Sequence, residues 1–276
     1  ILEVLKKEGF LPSFIVTGQD KPSGRKMLVN PPPVKIWAQK NNINYIQPKS
    51  LKDDDVLEKL KSLKPELFIV ASYGKIIPKN ILDIPKYGTL NVHPSLLPRW
   101  RGASPIQSAI LEDEKTGVTI MLLDEEMDHG PIITQEEVPS PTSEWPPYAD
   151  QMEEVLAEAG GKLLAHSIKP WINGEIEVKK QNHDKATFCF KISKEDGFID
   201  LLKESEKDSF KNFKKIRAFR KNGGTYTILK HKKTGKDMRV KITEANFENN
   251  KLVLKRVIPE GRKEMLWKDF ERGFLD

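Results

Sequence analysis

Asn91 and His93 stand two residues apart in the run Tyr87-Gly88-Thr89-Leu90-Asn91-Val92-His93, where large apolar and polar residues alternate. The alternation reads as a β-strand, and a two-residue spacing sends both side chains out of one face. Pro94 ends the strand, because proline has no N–H to give to a sheet ladder. The carboxamide and the imidazole therefore lie at its carboxyl end, where open α/β sheets hold their ligands. Aimed together into such a crevice, they can donate hydrogen bonds to a developing oxyanion. A lone histidine in such a place is more often a packed structural residue than a catalytic one, so the strand alone leaves its role open.

The elements around this strand follow an α/β pattern. Short strands read over residues 14–17 and 45–48. Residues 67–73 are a continuous apolar run, as expected of a parallel strand covered on both faces. Residues 117–123 form another strand, 124–130 a turn, and 131–136 the return. Helices read over 1–9, closed by Gly9, over 33–41 starting on proline, over 53–63, over a short piece ending near Leu82, and over 103–111. A long helix over 148–168 is weakened in its middle by Gly160-Gly161 and ended by Pro170. This alternation indicates a doubly wound, Rossmann-like α/β domain with a mostly parallel sheet. A parallel sheet that begins on a helix is odd, because that helix should cross over from an earlier strand. The sequence therefore reads as starting inside a domain whose first strand is missing. No Walker loop or G-x-G-x-x-G fingerprint occurs, which disfavours nucleotide binding.

A length of 276 residues allows two domains, and 38% hydrophobic with 31% charged residues reads as a soluble globular chain with no membrane span or signal peptide. The single cysteine, Cys189, excludes an internal disulfide framework and reads as a small buried hydrophobe in a reducing cytosol. Charge is uneven: residues 201–276 hold 21 Lys+Arg against 11 Asp+Glu, a net of +10 in a chain of +6, so the first 200 residues carry −4. Such a tail fits either a polyanionic partner or a solubilising surface. The polar loop over 18–26 places Lys21, Arg25 and Lys26 within six residues, suited to gripping phosphates or simply solvated. A basic helix over 208–219 carries Phe210, Phe213, Ile216 and Phe219 at a spacing of three, read as core. Strands over 226–229, 238–242 and 252–254 then suggest a small β-barrel of a kind that binds nucleic acid when basic. The domain boundaries read as 1–170, a polar connector over 171–204, and 205–276. Asp128, beside His129-Gly130, reads by itself as a turn residue, and His166 and His183 receive no role. No group of residues has metal-site spacing.

The run Asn91-Val92-His93-Pro94-Ser95-Leu96-Leu97-Pro98-Arg99-Trp100-Arg101-Gly102 resembles the signature of the folate-dependent formyltransferases. Val118-Thr119-Ile120 through Met127-Asp128-His129-Gly130-Pro131-Ile132 is similar to that family's second signature, aspartate included. Gln19-Asp20-Lys21-Pro22-Ser23-Gly24-Arg25 resembles the acceptor-stem loop of the branch that acts on methionyl-tRNA, and Ala71-Ser72-Tyr73-Gly74 its strand before the site. Ile216-Arg217-Ala218-Phe219, Gly224-Thr225-Tyr226 and Trp267-Lys268-Asp269-Phe270 resemble its C-terminal domain. The likeness covers most of the chain. It departs at the family's opening strand with its glycine-threonine-proline turn, which is absent, and at a proline-rich run, replaced here by Arg220-Lys221-Asn222-Gly223.

The resemblance implies a catalytic α/β domain followed by an OB-like barrel. It implies transfer of the formyl group of 10-formyltetrahydrofolate, a co-substrate, to the amino group of methionyl initiator tRNA, with no metal. Asn91 and His93 would then donate to the oxyanion, and Asp128 would pair with His93 and help take the amine proton. Ser95, Leu96, Leu97 and Pro98 would border the folate, while Lys21, Arg25, Lys26 and the basic residues of 205–276 would meet tRNA phosphates. A cytoplasmic monomer is the implied form. Two alternatives stay open at this point: a formyltransferase or formyltetrahydrofolate hydrolase acting on a small amine or water, and a non-catalytic RNA-binding remnant.

Overall fold

Short apolar runs punctuated by glycine and proline produce short strands, and the strands of the first unit show it. The structure, a computed structural model, describes residues 1–23, 28–112, 115–143, 145–203, 205–221 and 223–275. It divides into two compact units: Ile1–Arg101, Val118–Glu136 and Ala157–Ala186 make one, and Gly102–Gly117, Glu137–Leu156 and Thr187–Asp276 the other.

In the first unit Phe14–Val16 pairs in parallel with Asn44–Ile46. The sheet that carries Asn91 and His93 has the order Phe68–Val70, Thr89–His93, Thr116–Leu122, Ile132–Val138. Its first pair is parallel and its second antiparallel. The α/β class with parallel pairing therefore holds, but the parallel strands lie in two sheets rather than one, and no described strand joins them. The run 67–73 is also shorter and barer than its composition implies. Only Phe68–Val70 is strand, and Ile69 is 38% exposed, because this is an edge strand. Positive φ at Ser72 (51°) and Gly74 (71°) turns the chain out of the ladder.

Three further readings are corrected. The loop over 18–26 contains a strand, Lys21–Ser23, paired antiparallel with Leu28–Asn30. The long helix spans Ala149–Ile172 and runs through Pro170 instead of stopping before it. A proline this near the end removes a single N–H bond, and the last turn closes on Asn173 N–H to Lys169 O and Gly174 N–H to Trp171 O. Gly160-Gly161 is not a weak point but a close approach. A Cβ at Gly160 would lie 2.7 Å from Val92 Cγ1 and 3.1 Å from Val118 Cγ1, and one at Gly161 2.8 Å from Val4 Cβ. The missing side chains let this helix lie against the strand that bears the site.

In the second unit Thr225–Lys230, Asp237–Glu248, Lys251–Pro259 and Met265–Leu266 form an antiparallel sheet. Its apolar residues, among them Val240, Ile242 and Val257, share a core with Phe213 and Ile216 of the helix Glu206–Phe219. The phenylalanine stripe is core at Phe213 and Phe219, whereas Phe210 is 40% exposed and touches Phe247. Cys189 is buried and accepts the Ser104 N–H, as a small interior residue would. Among the described residues no helix is long and apolar enough to cross a membrane.

The glycine pair gives a prediction whose sign separates two accounts. Alanine is the better helix former by about 1 kcal/mol, but overpacking costs about 1–3 kcal/mol. Gly160→Ala is expected to lower stability in urea denaturation, by up to about 2 kcal/mol once the propensity gain is set against the overpacking cost. A gain would mean that helix propensity, not the approach to Val92, governs this position.

Candidate active site

The strand Thr89–His93 is flanked on both sides, with Val70 opposite Asn91 on one and Met121 and Thr119 opposite Asn91 and His93 on the other. Thr119 and Met121 are fully buried. Strand alternation puts Asn91 and His93 on one face. Asn91 is half-buried, and its carboxamide has no hydrogen-bond partner among the described residues.

The His93 side chain is 4% exposed. Its Nε2–H donates to the Trp100 carbonyl at 3.0 Å, since a carbonyl can only accept. Nδ1 is therefore the nitrogen that gains or loses a proton. It stands 3.6 Å from Asp128 Oδ1, whose side chain is 13% exposed. That separation exceeds a direct hydrogen bond but suits a charge interaction. Burial holds the His93 pKa below its ordinary value; the Asp128 carboxylate and the Trp100 carbonyl oppose it without reversing it. Asp128 reaches this place from a backbone in the left-handed region, with φ of 50°.

The segment after the strand is fixed by one hydroxyl. Thr119 Oγ1 donates to Ser95 O at 2.6 Å and accepts from Leu97 N–H at 3.2 Å and from Gln135 Nε2 at 2.7 Å. That uses one donor and two lone pairs, the whole capacity of a hydroxyl. Gln135 Nε2 also donates to Leu97 O at 3.0 Å, and Ser95 Oγ to Arg99 O at 2.6 Å. Leu97 packs with Met121 and Ile132. Of the four residues expected beside folate, Ser95 and Leu97 thus point inward and hold the segment, while Leu96 and Pro98 stay partly exposed.

The structure brings His93 and Asp128 together across a long sequence separation and keeps Asn91 on the same strand. Lys21 is exposed in its hairpin. Arg25 and Lys26 lie outside the described residues. The sequence reading missed Thr119 and Gln135, and it treated the connector as featureless although Gln181 and His183 meet the turn that bears Asp128. Thr119 was within reach, since it faces His93 in register once the two strands are paired. Gln181 had no periodic signal to betray it. Among the described residues no group of three or more His, Cys, Asp or Glu is placed to hold a metal ion.

The family model described as Formyl transferase matches residues 3–168. A methionyl-tRNA formyltransferase of Halalkalibacterium halodurans is 36% identical, over 99% of this chain and 90% of that protein. One of Thermotoga maritima is 43% identical, over 83% of this chain and 71% of that protein. Among solved structures, a sugar 3N-formyl transferase in the presence of dTDP and 5-N-formyl-THF superposes with a TM-score of 0.59 at 19% identity, covering 90% of this chain and 81% of that one. This last likeness bears on the fold alone.

Two predictions follow from the geometry. Asp128 raises the His93 pKa, so Asp128→Asn should lower it further, read as a downward shift of the His93 ring titration by NMR. Thr119→Val keeps the shape but leaves Ser95 O and the Leu97 N–H unpaired. At about 1–3 kcal/mol per buried group, a loss of at least 2 kcal/mol is expected in chemical denaturation.

Proposed function

The chain belongs to the formyl transferase family, and we propose that it transfers the formyl group of 10-formyltetrahydrofolate to the α-amino group of methionyl initiator tRNA, for translation initiation. The observation that carries this reading is buried His93 facing Asp128 at 3.6 Å, in a chain that matches methionyl-tRNA formyltransferases over nearly its whole length. The amine nitrogen attacks the formyl carbon, and the carbonyl electrons move onto oxygen. Collapse of that tetrahedral species breaks the bond to N10 of the folate; the amine loses one proton and N10 gains one.

Asn91 donates its carboxamide N–H to the oxyanion. His93 contributes through Nδ1, because Nε2–H is taken by Trp100. Its protonated form carries a donor on the side of Asp128, where it can meet the same oxygen. Asp128 receives the amine proton through water and keeps the imidazolium from being prohibitively costly in a buried site. Leu96 and Pro98 border the folate, with Ser95 and Leu97 setting their backbone.

Lys21, Arg25 and Lys26 and the basic residues of 205–276 contact tRNA phosphates. The antiparallel sheet of that region serves as an OB-like barrel, residues 1–170 as the catalytic domain and 171–204 as the link. The enzyme acts as a cytoplasmic monomer. Its tail of +10 beside a body of −4 supports a polyanionic acceptor over a small amine.

The test is formylation of charged initiator tRNA measured against small amine acceptors and against hydrolysis of the folate. Transfer to tRNA should dominate, and its affinity should fall steeply with salt. Asn91→Ala is expected to lower kcat by roughly 10²–10³ while the fold persists. Parental turnover in that variant, or preference for a small acceptor, would defeat the reading.

A further inference from the structure

Three consecutive residues of the turn that bears Asp128 are held from the connector. Gln181, only 5% exposed, donates Nε2–H to Asp128 O at 2.9 Å and to Gly130 O at 2.7 Å. Its Oε1 accepts from Arg101 Nε at 3.1 Å and Nη2 at 2.7 Å. Both donors and both lone pairs of the carboxamide are used, and a flipped amide would set donors against donors and oxygen against carbonyls. Its orientation is thus dictated by Arg101, itself 4% exposed.

Between those two carbonyls lies His129, whose ring stacks on His183 at 4.2 Å with 10° between planes. His183 Nδ1 accepts from the same Arg101 Nη2 at 2.9 Å. At the turn's other end His129 Nδ1–H donates to Asp124 Oδ2 at 2.7 Å. Arg101 faces the negative charges of Asp128, Asp124 and Glu126. A non-glycine residue with φ of 50°, as Asp128 has, persists only where its surroundings impose that conformation. At Gly130 an added Cβ would overlap Leu122 O, so the turn has no slack to move toward the sheet.

We propose that Gln181, oriented by Arg101, is a positioning residue: it pins the backbone of Asp128 and Gly130 so that the Asp128 carboxylate faces Nδ1 of His93. Gln181 does not touch the reacting atoms. The proposal rests on the reading of His93 and Asp128 as the reacting pair. It goes beyond that reading by making the connector part of the catalytic apparatus.

The test uses the full chain with Gln181→Met, which is similar in length but cannot donate, and Gln181→Glu, which keeps an acceptor for Arg101 but cannot donate to either carbonyl when ionised. With 10-formyltetrahydrofolate and methionyl initiator tRNA, kcat should fall about 10- to 100-fold in both, as a displacement near 1 Å would cause. KM for each substrate should stay near the parental value. In Gln181→Met the His93 titration should move down toward that of Asp128→Asn, a shift that mere loss of stability would not produce. Parental kcat in either folded variant overturns the proposal, as does a fall in kcat with the His93 titration unmoved in Gln181→Met. If Gln181→Met does not fold, Gln181→Glu decides on kcat; if neither folds, Gln181 is structural and the proposal fails. Should the parent itself not formylate tRNA, the functional reading falls, while the His93 titration still judges the clamp.

Discussion

An imidazole sealed from water, with a carbonyl at one nitrogen and a carboxylate near the other, sets the terms for the first unit. Burial disfavours the charged ring, and the two acceptors favour it. Burial prevails, so the His93 pKa lies below its ordinary value while Asp128 and Trp100 pull it back. Either influence alone would spoil the balance: burial without Asp128 would remove the cation, and Asp128 beside a solvated ring would be screened to little effect. The surrounding elements can be understood as what keeps both in force.

Exclusion of water comes from the sheet. The strand Thr89–His93 has a partner on each edge, and the long helix approaches it closely because Gly160 has no side chain. The segment Ser95–Pro98 then closes over the end, tied at Ser95 and Leu97 to a single buried hydroxyl. A saturated hydroxyl at this point is more exacting than an apolar contact of equal area, since each bond has a required direction. It therefore specifies one backbone path for a segment that changes direction sharply after proline.

Legibility from the sequence followed the range of each interaction. Strand alternation is local, so Thr89–His93 and the shared face of Asn91 and His93 could be read directly. The proximity of Asp128 could not, because a turn aspartate looks the same whether or not a histidine awaits it; family likeness supplied that link. Pro170 and Gly160-Gly161 were misread for one reason. Propensity describes a helix in isolation, whereas here a late proline costs one bond and two glycines gain contact with Val92, Val118 and Val4. Residues 67–73 misled in the opposite sense, since apolar composition cannot reveal that a strand lies at an edge. The polar connector hid Gln181 because a carboxamide that caps two carbonyls leaves no periodic trace.

The placement of Asp128 shows why such a residue must come from outside the sheet. Its carboxylate has to face a buried ring, so its backbone must adopt a disfavoured conformation at a defined distance from the strand. Charge attraction to His93 is a weak means of enforcing this, because burial works against the charged ring. The enforcement falls to the backbone carbonyls on either side of His129, which are the natural targets of a carboxamide locked in place by a guanidinium. Arg101 does the locking from a buried position, where desolvation works against its charge and Asp128, Asp124 and Glu126 oppose that cost without cancelling it. The acidic turn thus stabilises the cation that orients the amide that fixes the turn, a closed loop in which the position of Asp128 does not rest on the contacts of its carboxylate alone.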